Sequence, residues 1–442
     1  MKKFTTIIAM LIICMCFVLC GCAPRLEMPT NYESVVSNGG FVVGAGNYMF
    51  FGNAYKSNTT LEEGDNEGEV GQYSLNRIEL DRQTHPNSKW FKPVKNEENE
   101  YDFEKVAYKI SAYQTSNLYV VGEYLYFTSP NVHKNNKNEH EYNLSTLFRI
   151  KLDGTGLKEL YTAESSDAKF YLTSGQNQKL VIFDNKTIKT LNVSNKETRV
   201  KDLTKDIEVA SVVFPKTSQD LAYLYFTVNR VNSGFTGNLL YKVSLQTGDT
   251  SSVSNLNGAN ETLTILAYEN GILFYSKTGG SNNGIYSTDF ASNPVKHFYT
   301  DDSNTISNLS YVKCEDDENN CFAFIYNNKL YIQLMSSTNN AQAIKLSDKT
   351  AKIQFVDNGY IYYSAEDGIY RISVKQKEEQ QLSNLTNFNT EIMDFDGRFV
   401  YFFGQDENVT SGTDYLFRAD TYIDEVRVEC VANLLAEDIK ED

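Results

Sequence analysis

Tyr124-Leu125-Tyr126-Phe127, followed after a polar loop by Leu147-Phe148-Arg149-Ile150-Lys151-Leu152 and the turn Asp153-Gly154, is the stretch that decides the fold. The first segment is apolar and aromatic without interruption, so a strand built from it must bury both faces. The second alternates apolar and charged residues, so one of its faces meets a core and the other meets water. The same couple recurs along the chain. The continuous strand returns as Tyr48-Met49-Phe50-Phe51, Tyr223-Leu224-Tyr225-Phe226, Ile272-Leu273-Phe274-Tyr275, Tyr360-Ile361-Tyr362-Tyr363 and Phe399-Val400-Tyr401-Phe402, with weaker copies at Leu180 to Phe183 and Phe322 to Tyr326. The alternating partner returns at Leu239 to Leu245, Ile369 to Val374 and Tyr415 to Ala419.

A period of roughly 40 to 75 residues holding four short strands is the pattern of propeller blades. A four-stranded sheet cannot bury two faces alone, whereas radially packed blades cover one another. The units begin near residues 41, 117, 168, 209, 260, 305, 351 and 388. The expectation is therefore an all-β chain folded as a β-propeller of eight blades. Seven is the alternative count, because the third and sixth units are weakest. A pair of sandwiches or an irregular β-solenoid is the competing all-β arrangement.

Working outward to the N-terminus, Lys2 and Lys3 precede an apolar run from Phe4 to Leu19. That run suits a signal-peptide core and is short for a membrane span. It ends in Leu19-Cys20-Gly21-Cys22, which resembles the bacterial lipobox. The resemblance implies cleavage before Cys22 and lipid on its thiol. The expected organisation is a lipoprotein signal peptide over 1–21, a lipidated tether over 22–40, the propeller over 41–433 and a tail over 434–442. The expected location is the outer face of a cell membrane, held by lipid alone. An AT-rich codon signature in the abundant Asn, Lys, Ile and Tyr leans towards a low-GC Gram-positive host.

The 442 residues carry 41 basic and 57 acidic side chains, a formal net charge of −16. A surface of that sign repels phosphate backbones and argues against nucleic acid as a partner. The 30 Tyr, 26 Phe and only 7 Pro fit a chain of strands and tight turns.

Leu147 to Leu160, with its Asp153-Gly154-Thr155-Gly156 turn, resembles the blade signature of TolB-type propellers. It is also similar to an uncharacterised propeller family of Gram-positive surface lipoproteins related to YWTD-receptor propellers. Tyr360 to Tyr363 with Gly368-Ile369-Tyr370-Arg371-Ile372 repeats the resemblance. As a pattern it covers most of the chain, and it is close in the second and seventh units. These motifs specify strands and turns, so the resemblance implies a fold and no activity.

The loops between the second and third strands of units 1, 2 and 8 are long: Gly52 to Gln72, Thr128 to Asn143 and Gly404 to Asp414. Units 4 and 5 have medium ones at Asn229 to Gly237 and Lys277 to Asn283, while units 3, 6 and 7 turn tightly, as at Asn327-Asn328. Closure of the ring makes units 8, 1 and 2 neighbours, and a scaffold does not require long loops. Glu62, Glu63, Asp65, Glu67 and Glu69 with Tyr55 in the first loop, and Asp406 and Glu407 in the last, are the candidate binding residues. They predict an acidic platform suited to a basic protein segment or a bridging divalent ion. A solvated insertion is the plainer reading of the same residues.

Catalytic signals are weak. His133 and His140 share a loop with Glu139 and Glu141, ligand types suited to zinc, but the run around them is polar and reads as solvated loop. No Gly-x-Ser-x-Gly elbow, His-Glu-x-x-His motif or phosphate loop is present in the sequence. Neither a cofactor nor a metal is expected. Cys314 and Cys321 bracket Glu315-Asp316-Asp317-Glu318 at a spacing that suits two strands of a hairpin, and export would allow them to form a disulfide. The leading expectation is a non-catalytic, monomeric binding module for a protein, peptide or envelope polymer. The alternatives are a scaffold part of an envelope assembly and a glycan-active hydrolase or lyase.

Overall fold

A computed structural model describes residues 39–46, 48–53, 74–79, 94–95, 101–102 and 106–435, the last span with gaps at 217, 231–235, 254–255, 257, 259, 270, 281–282, 299–305, 317–319, 336–342, 350–351, 383–387, 396–397, 405–414, 422–427 and 433. Each continuous apolar segment of the sequence is the second strand of a four-stranded antiparallel sheet, and each alternating segment is the third. Among the described residues there are eight such sheets, seven of four strands and the first with an added fifth, arranged as an eight-bladed β-propeller. The first strands of the blades begin at Val42, Ser116, Lys169, Ser211, Thr262, Ile306, Lys352 and Phe388, within two residues of the predicted unit starts. The third and sixth blades, faintest in sequence, pair Lys169–Leu172 with Lys179–Asp184 and Cys321–Tyr326 with Lys329–Leu334 in regular register.

The uninterrupted apolar strands bury both faces, each against a different neighbour. In Tyr124–Pro130, Leu125 and Phe127 pack with Val43, Phe50 and Leu75 of blade 1, while Tyr126 packs with Leu180 and Ile182 of blade 3. In Lys179–Asp184 the arrangement repeats, with Val181 and Phe183 turned towards Leu224 and Phe226 of blade 4. Blade 7 does the same, Ile361 and Tyr363 lying with blade 6 and Tyr362 with blade 8. Each fully buried aromatic contributes about 1.5–3 kcal/mol, so the core is a ring of inter-blade layers. Tight turns close the short blades: Asn327 and Asn328 have φ of 49° and 58°, the pair of left-handed residues that a two-residue hairpin with right-handed strand twist requires.

The ring closes where blade 8 meets the chain start. The Val42 amide donates to Asp394 Oδ2 (2.9 Å), and Gly40 accepts from the Leu118 amide (2.8 Å). A Cβ on Gly40 would lie 1.8 Å from the Asp394 carboxylate, so any larger residue there must displace that carboxylate from its bond to Val42. After blade 8, Leu434–Leu435 pairs in parallel with Val106 and Ala107 of blade 1. The start of the segment read as a tail is thus a fifth strand on the first blade.

Candidate functional site

A meander of four strands fixes two faces. The starts of first and third strands lie on one, here the upper face, together with the loops joining second to third strands. The 1–2 and 3–4 turns lie on the other. The long connections of blades 8, 1 and 2 therefore leave from the upper face, bounded by Asn53 and Ser74, Pro130 and Ser145, and Gly404 and Tyr415. Tyr55, Glu62, Glu63, Asp65, Glu67, Glu69, Asp406 and Glu407 lie outside the described residues, as does Cys22.

The blade 2 loop is described. His133 bonds Glu159 at 2.7 Å, and His140 stacks on Tyr142 with ring centroids 4.8 Å apart. Among the described residues no group of three metal-ligating side chains comes together. His297 is buried, bonded to Ser287 Oγ at 2.6 Å and set edge-on against Phe322. Cys314 and Cys321 are both buried and remain thiols in the structure. Cys321 stands opposite Val312, so the ladder has ended before Cys314, whose amide bonds Asn320 Oδ1 instead. Burial pushes both thiols up, Cys321 further because it is the more deeply buried, with a smaller contribution from Cys314 beside it.

The ring's own geometry creates a recess that the loop reading did not anticipate. The first strands line the axis, where a cavity of about 370 Å³ is walled by Gly40, Tyr171, Lys216, Asn308, Gln354 and Asp394 among others. These residues come from blades 1, 3, 4, 6, 7 and 8. Phe214, Pro215 and Phe355 supply an apolar collar. The Lys216 amine donates to Ser310 Oγ (2.5 Å), while its backbone amide donates to Glu269 Oε1 (2.7 Å). Gln219 Nε2 also donates to Glu269, and the Gln219 amide donates to the Tyr171 hydroxyl (2.9 Å). Blades 3 to 6 are thereby joined by one polar chain around the axis.

Burial sets the electrostatics of this chain. Desolvation pushes the Lys216 ammonium down to about 8, with the charge of Glu269 opposing the change. Desolvation likewise pushes the Glu269 carboxyl up to about 7, against the donors from Lys216 and Gln219. Both groups thus titrate near neutrality. Burial raises the Tyr119 and Tyr171 phenols. The buried Tyr119 hydroxyl has no hydrogen-bond partner among the described residues and lies beside Gly39 at the cavity. An amine, a carboxylate and two amides around a small, partly apolar recess can hold a polar or zwitterionic group of a ligand.

Sequence reasoning missed these residues because it searched the loops. Lys216 follows Pro215 in an unremarkable connection, and Glu269 sits two residues before Gly271, where it reads as part of a turn. The usable signal was placement: both fall on or just after a first strand, and first strands of a propeller face the axis.

No protein-family model matches the chain, and no curated protein matches it. Solved structures match by fold. The propeller domain of the trilobed protease from Pyrococcus furiosus is 10% identical, with a TM-score of 0.41 over 90% of this chain and 98% of that one. The Dos1 propeller is 12% identical, with a TM-score of 0.46 over 89% and 95%. An oligogalacturonate lyase from Vibrio parahaemolyticus is 9% identical, with a TM-score of 0.43 over 87% and 98%. All three scores lie below 0.5, and the propeller fold rests on the chain's own sheets.

Proposed function

We propose that this chain is a lipoprotein, anchored through Cys22 to the outer face of a cell membrane, whose propeller is a non-catalytic binding module for a protein, peptide or envelope polymer. The observation that carries the binding role is the axial recess. It is a polar cavity of about 370 Å³ on a rigid ring, with Lys216, Gln354 and Asp394 converging from separate blades. Convergent polar groups in a partly apolar recess are the usual make-up of a recognition site. The long connections of blades 8, 1 and 2, with their acidic residues from Glu62 to Glu69 and at Asp406 and Glu407, belong to the same reading as a second contact region. A basic segment of the partner would meet those acids while a polar group enters the recess.

Two variants test this. Fatty-acid labelling of the protein in its host should be lost in Cys22→Ser, with release of the chain from the membrane fraction. Labelling that persists in Cys22→Ser would remove the anchor. Capture of partners by the immobilised chain from Ala23 onward should fall on deletion of Glu62 to Glu69 and in Lys216→Ala. Capture unchanged by the deletion would remove the upper-face loops as the binding surface, and capture unchanged in Lys216→Ala would remove the axial recess.

A further inference from the structure

The lower face carries a second recess, with a lining distinct from that of the axial cavity although both take residues from the connection between the first two strands of blade 4. It lies between blades 3 and 4, encloses about 540 Å³, and is lined from four turns: the 1–2 and 3–4 turns of each blade. That volume falls in the range of about 300–1,000 Å³ usual for small-ligand sites. Its wall is mainly polar and nearly balanced in charge. Asn177, Asn192 and Gln246 present amides, Thr173 and Ser244 hydroxyls, and Asp220 a carboxylate.

The one amine in the wall is committed. Lys179 Nζ donates to the Leu245 carbonyl, which ties blade 3 to blade 4 across the groove, and burial pushes its ammonium down. The walls are stitched elsewhere too. The Ser174 amide donates to the Gln219 carbonyl (2.9 Å), and Ser218 Oγ donates to the Leu172 carbonyl (2.8 Å). Gly175, at φ +88°, leaves room for Asp220, since a Cβ there would come within 2.9 Å of that carboxylate. The recess is therefore preorganised by contacts that hold its walls.

Tyr223 completes it. Its side chain is one of three large apolar groups left exposed among the described residues, at 41%, and it lines the groove. The Lys242 ammonium lies 4.5 Å from its ring centroid, over one face. An exposed aromatic ring bordered by amides and a carboxylate has a specific complement. Sugar rings offer C–H groups that meet the negative face of an aromatic ring, and vicinal hydroxyls that both donate and accept. Amides can satisfy a hydroxyl in both directions, and a carboxylate can accept from two at once. A peptide would bring backbone groups that need a sheet edge or a longer groove. An anionic ligand would meet Asp220 and the acidic chain, with the wall's own amine already bonded and the Lys242 ammonium held over the Tyr223 ring.

We propose that the groove between blades 3 and 4 is a saccharide-binding site for a neutral hexopyranose oligomer, with Tyr223 as the stacking platform and Asp220, Asn177 and Gln246 as hydroxyl partners. It goes beyond the axial binding role and does not depend on it.

The test is calorimetric titration of the chain from Ala23 onward with cellohexaose, maltohexaose and the N-acetylglucosamine hexamer, with polygalacturonate as the charged control. At least one neutral hexamer should bind saturably. Tyr223→Ala should weaken it about tenfold or more, through loss of the stacked ring. Gln246→Ala should weaken it by a smaller factor, and Lys377→Ala in an exposed turn of blade 7 should leave it unchanged. Near-ultraviolet circular dichroism establishes that each variant is folded, and Gln246→Ala keeps the test open if Tyr223→Ala is not. Overturning results are the absence of saturable binding to every neutral hexamer, binding that survives both groove variants, or binding to polygalacturonate alone. Failure here leaves the Lys216 capture result standing, and failure of capture leaves this titration standing.

Discussion

Replacing Glu269 by glutamine should make the protein more stable at pH 8 and change little at pH 5. Glu269 is buried beside the axis, and desolvation holds its carboxyl at about 7 rather than 4.5. The folded state thus binds a proton that the unfolded state releases between those values. Stability from this group is fully present below about 4.5 and is lost as pH rises through about 7. The difference of 2.5 between the two values, at about 1.36 kcal/mol each, amounts to about 3 kcal/mol. Glutamine has the same shape, keeps an oxygen to accept from the Lys216 amide and never ionises. It loses the bond from Gln219 Nε2 unless that amide turns, a cost of about 1 kcal/mol. The expected gap between Glu269→Gln and the parent is therefore about 2–3 kcal/mol in favour of the variant at pH 8, shrinking to near zero or reversing at pH 5. Denaturant titration followed by far-ultraviolet circular dichroism measures it as a midpoint difference, provided that the slope is common to both proteins. A gap that stays constant between pH 5 and pH 8 would refute the reasoning, because the carboxyl would then not titrate between its folded and unfolded values.

Three further outcomes follow from contacts already described. Gly40→Ala should cost about 1–3 kcal/mol by driving a Cβ into Asp394. Asp394→Ala in that background should restore part of the loss, so that the two changes are non-additive in a thermal-unfolding cycle; strict additivity would contradict the closure contact. Asp184 is fully buried, and although desolvation raises its carboxyl, donors from Glu164, Tyr161 and Ser165 hold it below the ordinary value. Asp184→Asn should therefore cost about 1–3 kcal/mol at pH 7, with the cost vanishing as pH falls through the folded carboxyl's titration; an equal cost at low pH would contradict this. Cys314 and Cys321 should resist alkylation in the folded protein and both react on unfolding without reductant; two unreactive positions after unfolding would mean that the two are joined as a disulfide.

The blade pattern was legible because strand burial leaves a periodic trace. Continuous apolar segments such as Tyr124 to Phe127 had to be inner strands, and the structure places each face against a different blade. Tight turns were legible from Asn327-Asn328, where left-handed backbone is needed. The fifth strand of blade 1 was not, because two leucines after residue 433 carry no period. Neither recess was legible. The groove on the lower face is assembled from four short turns, each ordinary alone: Asp220, Tyr223 and Gln246 become neighbours of Asn177 only through the docking of blades 3 and 4. Lys216 and Glu269 are separated by 53 residues and meet through a backbone amide, which no side-chain pattern announces.

The central claim is that the upper face binds a partner, and site-specific photo-crosslinking in the living host tests it most directly. A crosslinker replaces Lys137 or Asn308 on the upper side, and Lys196 or Lys377 in exposed turns on the lower side. The account predicts discrete adducts from Lys137 and Asn308 that are absent from Lys196 and Lys377. Adducts from the lower positions alone, or none from any position, would contradict it.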